Sequence, residues 1–192
     1  MKTTWLLAAA AVVGLSARAH ADATVGKPAP EFKAADQDGK VHTLSQYTGR
    51  IVVLEWTNSG CPFVRRHYKA ETMEKLSAKL AKDDVVWLAV NSTPSNTPAD
   101  TKKWMKDEGF AYPTLQDSDG KIGRAYGAKT TPHMFVIDKA GTLRYAGAID
   151  NDPRGKSAAP VNHVDAAVSA LLAGKDPPVA SSEPYGCTVK YK

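Results

Sequence analysis

Ile51-Val-Val-Leu-Glu-Trp56 is an almost unbroken run of β-branched and aromatic residues. That is the pattern of a strand covered on both faces, and hence of one near the middle of a sheet. The chain then passes through Thr57-Asn-Ser-Gly60 into Cys61-Pro62. Proline suits the first turn of a helix, where its missing N–H is no loss, so Cys61 falls near the N-cap of a helix predicted to reach about Lys82. A cysteine there faces unpaired backbone amides and the positive end of the helix macrodipole, and both favour thiolate over thiol. Cys61 is therefore the candidate nucleophile, and the strand-to-helix junction points to an α/β fold.

The rest of the chain fits around this junction. Residues 22 to 46 are polar and turn-rich, with Asp36-Gln-Asp-Gly-Lys40 ahead of Val41-His-Thr-Leu44, as expected of an N-terminal extension with a short hairpin. Along the helix after Cys61, Phe63, Tyr68, Met73, Leu76, Leu80 and Ala81 mark one apolar face. Asp84 to Asn91 reads as a second buried strand, which makes strand, helix and strand a βαβ unit. A helix over 99 to 108 with Trp104 and Met105 inward, ended by Gly109, precedes a short strand at Tyr112 to Leu115 and a short helix near Ile122 to Tyr126. Lys129 to Asp138 and Thr142 to Gly147 form a predicted antiparallel hairpin. The last helix is predicted over 161 to 173 with Val164, Ala167, Leu171 and Leu172 inward, and a Pro/Ser-rich tail then ends in Tyr185-Gly-Cys187-Thr-Val-Lys-Tyr-Lys192.

Residues 1 to 21 read as a secretory signal peptide: Lys2, an apolar run from Trp5 to Leu15, and a small-x-small cleavage site at Ala19-His-Ala21. The apolar run is shorter than the roughly 20 residues of a membrane span, so no stable insertion is expected after cleavage. The expected domains are thus 1–21 (signal), 22–175 (one globular domain) and 176–192 (a tail carrying Cys187), with a periplasmic or secreted location. The net charge of +5 falls to +3 once Lys2 and Arg18 are gone. Without a basic run interleaved with aromatics, no nucleic-acid partner is expected.

Both cysteines lie in the exported part, where disulfides persist. Cys187 is the one other thiol available to Cys61 within the chain. Arg65, one turn past Cys61, can lower the thiol pKa or hold an anionic substrate. A metal site built from Cys61, Cys187, His67 and His133 lacks close ligand spacing, and no metal or cofactor is expected.

The order of elements, with Val25-Gly-Lys-Pro-Ala-Pro-Glu-Phe32 at the start, the Trp56–Cys61 junction, and Thr131-Pro132-His-Met-Phe-Val-Ile-Asp138, resembles the thioredoxin fold in its redoxin and peroxiredoxin-like form, of the alkyl hydroperoxide reductase/thiol-specific antioxidant type. The resemblance covers most of residues 25 to 173. It implies a central mixed sheet flanked by helices, and a cis Pro132 against the active sulfur. The backbone of Thr131 would then be able to pair with an extended substrate. It also implies that Glu55, six residues before Cys61, matches the buried acid that accepts a proton in thioredoxins. The departures are Val64, where thioredoxins have a second cysteine, and Leu54 and Asn58, where peroxiredoxins have the Pro and Thr that orient a peroxide.

Two functional classes follow. One is an exported thiol-dependent oxidoreductase, with Cys61 attacking a disulfide or a peroxide, Cys187 resolving the product, and an external dithiol restoring both thiols. The other is a non-catalytic binding module in which Cys61 and Cys187 form a structural disulfide.

Overall fold

The computed structural model describes residues 23 to 192; the signal-peptide reading of residues 1 to 21 lies outside them. Its centre is a mixed five-stranded sheet in the order β5-β4-β3-β7-β8, where β3 is Val52–Trp56, β4 Val86–Asn91, β5 Thr114–Gln116, β7 His133–Ile137 and β8 Leu143–Gly147. The strands β3, β4 and β5 run parallel, and β7 and β8 run antiparallel to them. Every residue of β3 and β4 is buried, which is why their sequences read as continuous apolar runs rather than alternating ones. The N-terminal hairpin of β1 (Lys33–Ala35) and β2 (Val41–Thr43) forms as expected, followed by a 3-10 turn over Ser45–Tyr47.

The alternation of β3 divides the core. Val53 faces α1 (Pro62–Lys69), α2 (Thr72–Ala81), α3 (Pro98–Glu108) and α5 (His163–Leu172), packing among Val64, Tyr68, Met73, Trp104, Val164 and Val168. Val52, Leu54 and Trp56 face the opposite way, toward α4 (Lys121–Tyr126) and the N-terminal segment. Among the described residues no helix is long and apolar enough to cross a membrane.

Three sequence expectations are corrected. The helix after Cys61 is two helices, because Glu71 takes a left-handed conformation (φ 55°) that interrupts the ladder between α1 and α2. Met105 is only half-buried beside the buried Trp104. In α5 the inward positions are Val164, Ala167 and Val168, while Leu172 is exposed. Apolar periodicity crosses a one-residue break with little change, which is why it reads 62–82 as a single element.

The tail is folded back over the domain. The Ser182 amide donates to the Ala146 carbonyl of β8 (3.2 Å), the Ala146 amide donates to the Ala180 carbonyl (3.2 Å), and the Ser182 hydroxyl lies 2.6 Å from that of Tyr145. Cys187–Thr188 (β9) then pairs antiparallel with Thr130–Thr131 (β6), setting Cys187 opposite Thr131.

A left-handed backbone costs an ordinary residue about 1 kcal/mol or more, and the solvent-exposed Glu71–Lys75 ion pair (2.8 Å) offsets little of it. Glu71→Gly is therefore expected to stabilise the protein by about 0.5–1 kcal/mol and Glu71→Val to destabilise it, read as opposite shifts of the urea midpoint.

Candidate active site

Cys61 is the N-cap of α1, with an extended backbone (φ −85°, ψ 122°) and Pro62 opening the helix behind it. The turn that delivers it is shaped by Asn58, whose side-chain oxygen accepts from the Gly60 amide (2.7 Å) and whose carbonyl accepts from the Cys61 amide (2.9 Å). The sulfur lies inside: Cys61 is 1% exposed, and its thiol donates to the Thr131 carbonyl at 3.0 Å. Thr131–Pro132 is a cis peptide, and both residues are buried against this junction.

Cys187 sits across from Thr131, and both cysteines are free thiols. They ionise unequally. Burial pushes the Cys61 thiol up, but hydrogen bonds from Cys187, from Thr131 and from the Val64 and Cys187 amides outweigh it and bring Cys61 below its ordinary value. Cys187 moves the other way, raised first by hydrogen-bonding to the Cys61 sulfur and then by burial and the Cys61 charge. Cys61 is therefore the thiol of the pair that ionises more readily, and Cys187 the one that keeps its proton longer.

Glu55 follows Val53 in the alternation and so faces the α1 side of the sheet. It is fully buried without a cation: Oε1 accepts from the Tyr68 hydroxyl (3.0 Å), and Oε2 from the Trp87 indole (3.0 Å) and the Tyr112 hydroxyl (3.3 Å). The two hydroxyls also contact each other at 2.7 Å. Two tyrosine protons cannot fill all three of the contacts joining Glu55, Tyr68 and Tyr112, whereas a protonated Glu55 supplies the third. Burial accordingly raises the carboxyl to about 7, against the opposing hydrogen bonds from Trp87 and Tyr68.

The other sequence candidates separate. Arg65 is exposed on α1, while its neighbour Arg66 turns inward, donating to the Pro153 (2.9 Å) and Asp152 (3.1 Å) carbonyls and lying 3.3 Å from the Tyr185 hydroxyl. His67 is buried with Nε2 3.0 Å from that hydroxyl; burial lowers its pKa, and the Arg66 charge adds to this against the pull of Asp150. His133 is held in the core against Phe135, its Nδ1 accepting from the Lys129 amide (3.2 Å), and burial lowers it to about 4. These histidines serve packing and the tail, and among the described residues no group of three or more His, Cys, Asp or Glu could hold a metal ion. Sequence reasoning missed Tyr112 and Trp87 as partners of Glu55 and Tyr185 as an anchor of the tail. A polar tip on an otherwise apolar aromatic was the available signal for each.

The model of the AhpC/TSA family matches residues 25–146. The chain belongs to the AhpC/TSA family. It is 29% identical over 149 residues to the thiol-disulfide oxidoreductase ResA of Geobacillus thermodenitrificans, covering 75% of this chain and 83% of that protein. It is 30% identical over 139 residues to the thiol:disulfide interchange protein DsbE of Escherichia coli, covering 69% of each. A hypothetical protein of Sinorhizobium meliloti 1021 superposes with a TM-score of 0.79 at 26% identity, covering 90% of this chain and 97% of its own. The fold is thioredoxin-like, as this family member's sequence pattern leads one to expect.

Unfolded, Glu55 ionises near 4.5; folded, near 7. Between those values the folded chain keeps a proton that the unfolded chain has lost. Its stabilising contribution is complete below about pH 4.5 and is lost as the pH rises to about 7, a change of about 3 kcal/mol. Glu55→Gln cannot ionise, so its stability relative to the parent is expected to rise by about 3 kcal/mol over that window, measured by urea denaturation across a pH series.

Proposed function

We propose that this protein is an exported thiol-disulfide oxidoreductase in which Cys61 attacks and Cys187 resolves. The observation that carries the reading is the pairing of β9 with β6, which sets Cys187 opposite Thr131 while the Thr131 carbonyl holds the Cys61 thiol. The AhpC/TSA family membership and the two named thiol-disulfide relatives support the reaction class, and the signal-peptide pattern of residues 1 to 21 supports export.

The chemistry runs in two exchanges. The Cys61 thiolate attacks one sulfur of a disulfide, forming a mixed disulfide and releasing the other half as a thiolate. Loss of the Cys61 charge removes one of the causes that kept Cys187 protonated. Cys187 then gives up its proton and attacks the Cys61 sulfur, forming the Cys61–Cys187 bond and releasing the second half. Two electrons have passed from the protein thiols to the substrate, and an external dithiol restores them. Glu55, placed near neutrality in the core beneath α1, is the proton acceptor of the cycle. Thr131 and the cis Pro132 orient the incoming sulfur, and exposed Arg65 is a hold for an anionic group on the substrate.

Disulfide exchange is favoured over peroxide reduction by the position of two residues. Leu54 is packed in the core on the face away from Cys61, and Asn58 shapes the turn through the Gly60 amide, so neither supplies the proline and threonine groups that the peroxiredoxin resemblance calls for.

Oxidation of the reduced protein by glutathione disulfide is expected to give an intramolecular Cys61–Cys187 bond by mass spectrometry. Cys187→Ser should accumulate a Cys61 mixed disulfide, and Cys61→Ser should react about a hundredfold slower. Two free thiols in the oxidised parent, or undiminished reaction of Cys61→Ser, would refute the cycle. A reduction potential below about −300 mV would favour a structural staple instead.

A further inference from the structure

We infer that β9 occupies the slot in which a polypeptide substrate must lie, so that tail and substrate exchange places once in each turnover, with Gly186 allowing the tail its close approach. The inference rests on the Cys61–Cys187 reading above and names the substrate class, an extended polypeptide carrying a disulfide.

β6 is two residues long and belongs to no other sheet; its pairing edge is taken entirely by β9. A strand edge with free N–H and C=O groups is a template for any extended chain. Here that edge borders Cys61, whose sulfur is bonded to the Thr131 carbonyl and is almost wholly buried. A sulfur coming within bonding distance of Cys61 arrives where Cys187 now stands, and a polypeptide bearing it runs along β6. With β9 docked there is no room for it.

The fit of β9 is close. Gly186 has φ +138°, and a Cβ there would be driven into the Thr131 carbonyl, 2.7 Å from its carbon. Only glycine lets the chain lie flat at this point before presenting Cys187. The strand is fastened on both sides. Ahead of it, the Tyr185 hydroxyl donates to Asp150 (2.5 Å) and lies 3.0 Å from His67. Beyond it, the Val189 amide donates to the Lys129 carbonyl (3.0 Å) and the Tyr191 hydroxyl to the Ala128 carbonyl (2.7 Å). Apart from the buried Val189, these fastenings are single hydrogen bonds, two of them from the hydroxyls of half-buried tyrosines to buried partners, so the strand can leave and return by breaking and remaking a few polar contacts.

The exchange gives one strand two tasks. When the tail is away, the substrate strand pairs with β6 and Cys61 takes one of its sulfurs, the other leaving as thiolate. Return of β9 displaces the substrate backbone from β6 and, in the same movement, brings Cys187 onto the Cys61 sulfur. The Cys61–Cys187 bond forms as the substrate–Cys61 bond breaks, and the substrate sulfur leaves as thiolate.

The test compares Cys187→Ser with Cys187→Ser/Gly186→Val, each reduced and reacted with two oxidants: a peptide dimer joined by a Gly-Cys cystine, and hydrogen peroxide. Gly186→Val is expected to raise the ratio of peptide to peroxide rate constants about tenfold or more, by keeping β9 off the slot. In the parent cysteine background it should slow closure of the Cys61–Cys187 bond by a similar factor. Tyr185→Phe, which removes the fastening and leaves the backbone of β9 intact, should move both measurements in the same direction, and so guards against misfolding of the valine variant. An unchanged or lowered ratio in both variants would overturn the slot. Failure of Cys61 in Cys187→Ser to react with either oxidant would overturn the functional reading itself.

Discussion

The antiparallel pairing of Cys187 with Thr131 is the contact on which the site depends. It places the second sulfur, shields the first, and holds a tail that otherwise has little apolar surface of its own. Without it Cys61 would be a lone thiol at a helix start, in a fold that has lost the neighbouring cysteine four-residue motifs provide, since Val64 is buried in the core at that position. In the proposed cycle the second thiol comes instead from β9, and the geometry of a strand ladder does what the first turn of a helix does elsewhere. Strand pairing also fixes which residue stands opposite which, so register alone selects Cys187 over its neighbours.

Electrostatics gives the two sulfurs different duties. Hydrogen bonds from Cys187, from Thr131 and from the Val64 and Cys187 amides lower the Cys61 pKa, and the same contact with Cys61 raises that of Cys187. The asymmetry belongs to the pair and dissolves when Cys61 becomes part of a disulfide. Glu55, on the α1 side of the sheet, is a carboxyl surrounded by two tyrosines and a tryptophan, and burial raises it to about 7. Glu74 is similarly raised to about 7, mainly by burial, with both oxygens unpaired within the described structure. This side of the sheet thus contains two carboxyls that burial raises toward neutrality.

Much of this was legible in the sequence, and the reasons differ by element. The runs 51–56 and 84–91 could be read because strands buried on both faces have no alternation to confuse. Cys61 could be placed because Pro62 marks a helix start from one side only. The break at Glu71 was invisible, since a single left-handed residue costs about a kilocalorie and leaves the apolar face on either side in phase. For Glu55, the sequence offered a distance from Cys61 but not a face; the parity of β3 supplies it, turning Val53 and Glu55 one way and Trp56 the other. The tail was the least legible part. Its composition is that of a linker, and nothing in residues 175–192 states that Ser182, Tyr185 and Tyr191 each have a partner waiting on the domain. Those partners are single polar atoms scattered from Ala128 to Asp150, and no periodicity records them.

Cys61 and Cys187 lie 126 positions apart in one chain, with four of the five strands of the central sheet between them. The two thiols share no local element, and what brings them together is Thr130–Thr131, which pairs with β9 on one side and meets the Cys61 sulfur on the other. Until β6 stands beside the start of α1, β9 has no edge to pair with and the two cysteines are separate thiols. Their meeting therefore reports that the fold is assembled.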